Sequence, residues 1–93
     1  MSEITLDSIV VRSGDVMASP VDNELVMMDL MRGMYYGLDA TGADIWERLA
    51  QPVRVADLCA QLVQDYEVEQ AVCEADVLAV LNEMAAEAMV RAV

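Results

Sequence analysis

The stretch "LMRGMYYGLDATGADIW" (Leu30–Trp46) combines a glycine turn, two consecutive tyrosines and a helix start. Arg32 and Gly33 predict a two-residue hairpin loop, because glycine supplies the positive φ angle that such loops require. In the second half of the stretch the apolar residues change to a helical spacing, with Asp39 or Thr41 as the capping residue. The stretch therefore predicts a strand that runs directly into a helix.

The hairpin loop sets the register of the strands on either side of it. With Arg32 and Gly33 in the loop, Met31 faces Met34, and successive residues alternate between the two faces of the sheet. One face is expected to carry Met27, Met31, Met34, Tyr36 and Leu38, and the other Met28, Leu30 and Tyr35. Because both faces are apolar in a chain of 93 residues, helices or a partner must cover the second face.

The spacing of apolar residues predicts an antiparallel three-stranded sheet followed by three helices. The sheet is expected over about residues 15–38, and the helices over about 41–51, 54–66 and 72–91. A wide apolar arc on the third helix lies beside a row of three carboxylates: Asp76, Glu83 and Glu87. This arrangement fits either a central core helix with one solvated edge or one wall of a groove.

Length and charge limit the class of protein. We expect residues 1–93 to form one domain with a single modest core. Seventeen acidic residues against five arginines give a net charge of −12, which repels nucleic acid. Such acidity either keeps a small domain soluble or attracts a basic partner. With no histidine in the chain, we expect Cys59 and Cys73 to be buried core residues and expect no metal site.

Neither export nor catalysis is indicated by the sequence. The N-terminal stretch Met1–Asp7 is unlike a signal peptide, and no apolar run is long enough to cross a membrane, so we expect a cytoplasmic protein. The carboxylates are scattered and there is no phosphate-binding glycine loop, so we expect neither an enzyme nor a cofactor. An acidic protein-interaction module of a regulatory system is an alternative that these observations leave open.

Three segments together resemble the PqqD-like peptide-recognition domains, which are the recognition elements of ribosomal peptide (RiPP) biosynthesis. The segments are "YYGLDATGADIWERL", "LVQDYEV" and "DVLAVLNEMAAEAMV". The positions that match the family pattern are Tyr36, Leu38, Asp39, Gly42, Ile45, Trp46, Leu49, Leu62, Tyr66, Asp76, Val77 and Leu81. Three positions depart from the most frequent residue: Asp39 stands where Asn is frequent, Ala88 stands where a glycine often ends the last helix, and Arg54 replaces a Ser or Thr cap.

The resemblance implies an α+β fold that is winged helix-turn-helix-like, and a protein that binds the leader of a precursor peptide. In such domains the leader adds a strand to the third strand of the sheet and packs against the last helix. The positions implied to contact the peptide are Met34, Tyr35, Tyr36, Gly37, Leu38, Asp76, Val77, Val80, Leu81, Glu83, Met84 and Glu87. Which tyrosine faces the groove is left open.

The same resemblance implies that the chain works with a separate enzyme. The sequence looks most like the stand-alone recognition proteins of lasso-peptide clusters, which deliver a precursor to a leader peptidase. The runner-up is the pyrroloquinoline quinone pathway, in which the partner is a radical SAM enzyme. No nucleic acid and no membrane are expected as partners, and the oligomeric state is not predicted.

Overall fold

The computed structural model describes residues 3–14, 16–22, 24–29 and 33–93, with the side chain of residue 34 excepted. Within these residues the chain forms two antiparallel three-stranded sheets and three helices, an α+β fold as predicted. The elements are β1 (Ile9–Arg12), β2 (Val16–Val21), β3 (Glu24–Asp29), β4 (Met34–Leu38), α1 (Ala40–Arg48), β5 (Val53–Arg54), α2 (Val55–Tyr66), α3 (Gln70–Ala86) and β6 (Val90–Ala92).

The strands β2, β3 and β4, in that order, form what we call the large sheet, which is the predicted three-stranded sheet. The predicted register is wrong by two residues, because Asp29 lies opposite Met34, whereas a loop of Arg32 and Gly33 would place it opposite Tyr36. Gly33 has a φ of +67°, and its N–H donates to the Asp29 carbonyl over 2.8 Å. Gly33 therefore has the positive φ that the sequence predicts for it.

The shift in register changes which residues of β3 and β4 are neighbours but preserves the faces of the sheet. Met27 lies opposite Tyr36 and Leu25 opposite Leu38, so these four side chains share the inner face, toward the helices. A shift of two residues keeps the alternation, since side chains repeat with a period of two. Several parts of the expectation lie outside the described residues: Asp15, Asn23, Leu30, Met31, Arg32 and the side chain of Met34.

A second sheet, β5–β1–β6, was not predicted, and we call it the small sheet. Its central strand β1 pairs Ile9 with Arg54 on one side and Val10 with Ala92 on the other. The predicted helix over 72–91 is therefore wrong at its C-terminal end, because Val90–Ala92 is a strand. The small sheet joins the two ends of the described chain, and a pattern of local apolar spacing carries no information on such a pairing.

The end of α3 explains why the helix stops before β6. Ala88 has a φ of +59°, in the left-handed region that favours glycine. The Met89 N–H donates to the Met84 carbonyl over 2.9 Å, and the Ala88 N–H donates to the Ala85 carbonyl over 3.0 Å. These two bonds form a Schellman motif. The position where the family often has glycine thus has the backbone conformation that glycine favours.

Helix starts agree with the sequence within two residues. Asp39 caps α1, because its carboxylate accepts the Gly42 N–H over 2.8 Å, whereas Thr41 lies inside the helix. α1 ends at Arg48 and is shorter than predicted, while α2 matches the predicted span closely. Arg54, the N-cap of α2, makes no side-chain capping bond.

The core lies between the helices and the inner faces of both sheets. Trp46, Leu49, Leu58, Leu81 and Met27 are at most 2% exposed. Cys59 and Cys73 are buried free thiols, as predicted, and burial raises the pKa of Cys59 to about 11. None of the helices in the described part of the chain is both long and apolar enough to cross a membrane.

Candidate functional site

Helix α3 has two sides that differ in what covers them. The closed side carries Leu78, Asn82 and Ala85 and faces the N-terminal segment. There the Asn82 amide accepts from the Ile4 N–H over 3.1 Å and donates to the Ile4 carbonyl over 3.2 Å. The opposite flank, which we call the open side, carries Val72, Asp76, Val80 and Glu83 at helical spacing.

The open side borders a groove of about 200 Å³, whose other wall is α1 and the segment that follows α2. The groove is open to solvent and mostly apolar. Its lining comprises Thr41, Ile45, Leu62, Tyr66, Val68, Val72, Cys73, Asp76, Val77 and Val80. Val72 is 51% exposed and Val68 41% exposed, so large apolar side chains are available to a ligand here.

Strand β4 precedes α1, one wall of this groove, in the chain. β4 pairs with β3 along one edge, and its other edge pairs with no strand in the described ranges. One residue after β4 ends, Asp39 caps α1, and Thr41 in the first turn of α1 lines the groove. An edge strand presents main-chain N–H and C=O groups to an added strand. The residues of β4 are not among those that line the groove, so the free edge and the groove are linked through the start of α1.

The two tyrosines of β4 point to opposite faces. Tyr35 is 72% exposed and lies on the outer face of the large sheet. Tyr36 lies on the inner face, where its hydroxyl donates to the Glu87 carboxylate over 2.5 Å. Tyr36 is therefore the tyrosine on the side of α3. Its bond to Glu87 ties β4 to the C-terminal end of that helix.

The residues implied by the resemblance separate into three groups. Asp76, Val77 and Val80 line the groove. Leu81 is fully buried and Met84 is 3% exposed, so both lie in the core beneath the open side. The third group lies outside both the groove and the core. In it Glu83 is exposed and Glu87 is bonded to Tyr36. The remaining members form strand β4: Met34, Tyr35, Tyr36, Gly37 and Leu38.

Seven lining residues were missed by the sequence reasoning: Thr41, Ile45, Leu62, Tyr66, Val68, Val72 and Cys73. The sequence could have indicated Val68 and Val72, because both are large apolar residues that do not belong to the apolar stripe of α3. In the structure both are exposed. Ile45 gave none, because it fits the helical core spacing and is 3% exposed.

A polar cluster between α1 and α2 holds Tyr66 at the groove. The Tyr66 hydroxyl donates to Asp44, which also accepts from Arg48 over 2.9 Å. Arg48 reaches Asp65 as well, over 2.6 Å. The bond from Arg48, followed by that from Tyr66, lowers the pKa of the Asp44 carboxyl, and the bond to Asp44 raises the pKa of Tyr66. The cluster therefore orients an aromatic wall of the groove.

In the described residues, no three acidic or thiol side chains come together as a metal site.

The fold is that of a PqqD-like RiPP recognition element, and the chain belongs to the PqqD family. The family model for coenzyme PQQ synthesis protein D (PqqD) matches residues 24–90. That span begins at β3 and ends at β6, so it includes β4 and every residue that lines the groove. No curated protein sequence matches the chain.

Two solved structures are similar to this chain. TbiB1 in complex with the TbiA(beta) leader peptide has a TM-score of 0.79 at 28% identity, over 87% of this chain and 94% of TbiB1. Lasso peptide synthetase B1 complexed with the leader peptide has a TM-score of 0.78 at 27% identity, over 88% of this chain and 96% of that one. Both proteins were solved with a leader peptide bound.

Proposed function

We propose that this protein binds the leader region of a ribosomally synthesised precursor peptide and presents it to a separate maturation enzyme, a lasso-peptide leader peptidase. One observation carries the proposal: the edge strand β4 leads through Asp39 into α1, and α1 forms one wall of a solvent-open apolar groove beside α3. The two leader-peptide complexes among the similar structures support the same substrate class.

The leader adds as a strand along the edge of β4. Main-chain hydrogen bonds to that edge supply affinity that does not depend on the peptide's sequence. Sequence preference comes from side chains that enter the groove, where Tyr66, Val72 and Val80 offer apolar surface. A leader with apolar residues on alternate positions fits this arrangement, because alternate side chains of a strand point to the same side.

Basic residues of the leader are attracted to the carboxylates of the open side. Asp76 lies in the lining of the groove, and Glu83 lies exposed on the same flank of α3. A net charge of −12 adds a long-range attraction for a basic peptide. The protein itself supplies binding and orientation, and the bond-breaking chemistry belongs to the enzyme that receives the peptide.

Strand addition is tested with a series of leader peptides that are N-methylated at one residue each. The peptide is the leader of the precursor gene that neighbours this one, and binding is measured by calorimetry. An added strand directs every second N–H toward β4. N-methylation should therefore weaken binding strongly at alternate residues and weakly between them. Only the peptide is changed in this scan, so the protein is the same in every measurement. A scan without a period of two would rule out strand addition.

The role of charge is tested with the double variant Asp76→Asn, Glu83→Gln. It should bind the leader a few-fold more weakly at low salt and show a flatter salt dependence. Glu3→Gln with Asp57→Asn is the matched control, because it removes two exposed charges away from the groove. An equal loss of leader affinity in both double variants would show that the net charge of the protein, and not the carboxylates of the open side, attracts the leader.

The pyrroloquinoline quinone pathway stays a second candidate, since the matching family model describes a coenzyme PQQ synthesis protein. In that case the receiving partner is a radical SAM enzyme. The two candidates differ in the precursor that binds. Titration of one leader from each pathway into the same protein sample decides between them, and the tighter binder identifies the pathway.

A further inference from the structure

The large sheet has a second face that the fold leaves uncovered. We call it the outer face, and within the described residues it consists of the positions that alternate with those of the inner face. These are Met17, Ser19, Val21, Glu24, Val26, Met28, Tyr35 and Gly37. The inner face, by contrast, packs on the core, where Met27 is fully buried and Leu25 is 9% exposed. The helices therefore cover only one side of this sheet.

A row of three large side chains crosses the outer face. Met17 lies directly opposite Met28, and Met28 lies directly opposite Tyr35, so the row spans β2, β3 and β4. Met17 is 55% exposed and Tyr35 is 72% exposed. Tyrosine and methionine are enriched in the buried centres of protein interfaces, and aromatic residues are frequent among those that dominate binding energy. This row has the composition of such a centre.

The outer face also carries a placed negative charge. A Cβ built on Gly37 would lie 3.8 Å from the Glu24 carboxylate, so Glu24 reaches across the face to β4. Gly37 has no side chain and leaves a shallow gap between Glu24 and Tyr35. Among the described positions of the outer face, Glu24 is the single charged residue. A partner that packs on the row would therefore meet one carboxylate at its border.

We infer that the outer face docks a second protein, the enzyme that acts on the bound peptide. The enzyme places an apolar surface against Met17, Met28 and Tyr35, and an arginine or lysine of the enzyme pairs with Glu24. This inference rests on the proposed function, because β4 belongs to both surfaces. Tyr35 points into the docking face and the next residue, Tyr36, points toward α3. An enzyme on the outer face is thereby placed beside a peptide held at the edge of β4.

Charge argues against two other occupants. A second copy of this chain would bring together two molecules that each carry a net charge of −12, at a face whose described residues include no cation. An anionic membrane surface is repelled for the same reason. A protein partner with a basic border around an apolar contact is favoured by both features of the face.

The test uses the variant Met17→Glu, which changes the row at β2 and lies outside the proposed peptide site. The probes are the purified maturation enzyme encoded beside the precursor gene and the leader peptide, each titrated separately by calorimetry. Met17→Glu should weaken binding of the enzyme at least about tenfold and change the affinity for the leader peptide by less than about twofold. Ile9→Glu is the matched control, because Ile9 is a 43% exposed apolar residue of the small sheet. It should change neither affinity.

A second variant, Glu24→Arg, tests the charge at the border. It should weaken binding of the enzyme a few-fold and flatten the dependence of that affinity on salt. Three results would overturn the inference: unchanged enzyme affinity in Met17→Glu, loss of leader affinity in Met17→Glu, or a wild-type dimer that this variant dissociates. Failure of the wild-type protein to bind any leader overturns the proposed function instead, and the enzyme titration distinguishes the two failures.

Discussion

The closed and open sides of α3 belong to one helix, yet the rest of the chain covers the closed side and leaves the open side exposed. On the closed side, Asn82 forms two hydrogen bonds to Ile4, and Leu78 packs against the core. On the open side, Val72 stays half exposed beside a groove. The closed side is held by residues far away in sequence. Near its C-terminal end α3 is tied to β4, where Tyr36 bonds to Glu87.

The difference separates stability from binding. Apolar surface that the chain itself buries contributes to the free energy of folding, whereas apolar surface left in a groove contributes only when a ligand covers it. Changes on the closed side should therefore lower the stability of the protein. Changes on the open side should lower its affinity for the leader and leave stability nearly unchanged.

The largest effect is expected on the closed side, for Asn82→Ala. The variant removes both bonds to Ile4 and leaves polar backbone groups of that residue unpaired, which should lower the free energy of unfolding by about 2 kcal/mol. Urea denaturation measures this change. The neighbouring open-side variant Glu83→Gln should change stability by less than about 0.5 kcal/mol. Equal losses would mean that the two sides do not differ.

On the open side, Val72→Ser should weaken leader binding by about 1 kcal/mol, roughly fivefold, because it removes apolar surface from the groove. Stability should stay within about 0.5 kcal/mol, since Val72 is already half exposed. Val93→Ser, at another exposed valine outside the groove, serves as the control for calorimetric titration. If Val72→Ser binds like the wild type, the groove is not part of the peptide site.

A change at the end of α3 should raise stability without affecting the groove. Ala88→Gly removes the strain of a left-handed alanine and is expected to stabilise the protein by up to about 1 kcal/mol. Ala86→Gly, at the last helical residue, should instead be neutral or destabilising. Thermal unfolding distinguishes these signs, and leader affinity should be unchanged in both. A destabilised Ala88→Gly would contradict the proposed cost of the left-handed conformation.

The smallest effect concerns the cluster that holds Tyr66. The pKa of Asp44 is lowered in the folded protein, so its contribution is present above about pH 4 and is lost as the pH falls through the folded pKa. Between pH 7 and pH 3, the wild type should lose about 0.5 kcal/mol more stability than Asp44→Asn. Parallel urea curves at the two pH values measure the difference. An identical pH response in both proteins would show that Asp44 is uncoupled from folding.

The sequence predicted the large sheet well because its strands are neighbours along the chain. Alternating apolar residues and Gly33 indicated the hairpin, and Asp39 was one of two expected helix caps. The predicted register failed because a glycine with positive φ fits hairpin loops of more than one length. The faces nevertheless came out correctly, since the error was an even number of residues.

The small sheet and the groove were beyond local patterns. Val10 and Ala92 meet across almost the whole chain, and neither segment shows a signal for the other. Similarly, Ile45 lines the groove from α1 although its spacing marks it as core. The predicted contacts with Leu81 and Met84 illustrate the same limit, because the stripe of α3 to which they belong turned out to face the core.

By itself the sequence determined the α+β class, the order of most elements, the acidic surface and the alternation that puts Tyr35 and Tyr36 on opposite faces. These are local properties, fixed by backbone geometry over a few residues. Only the tertiary structure decided which tyrosine meets α3, which side of α3 the N-terminal segment covers and where a groove is left. Those outcomes depend on which distant apolar surfaces bury each other, and hydrophobic burial has no preferred direction along the chain.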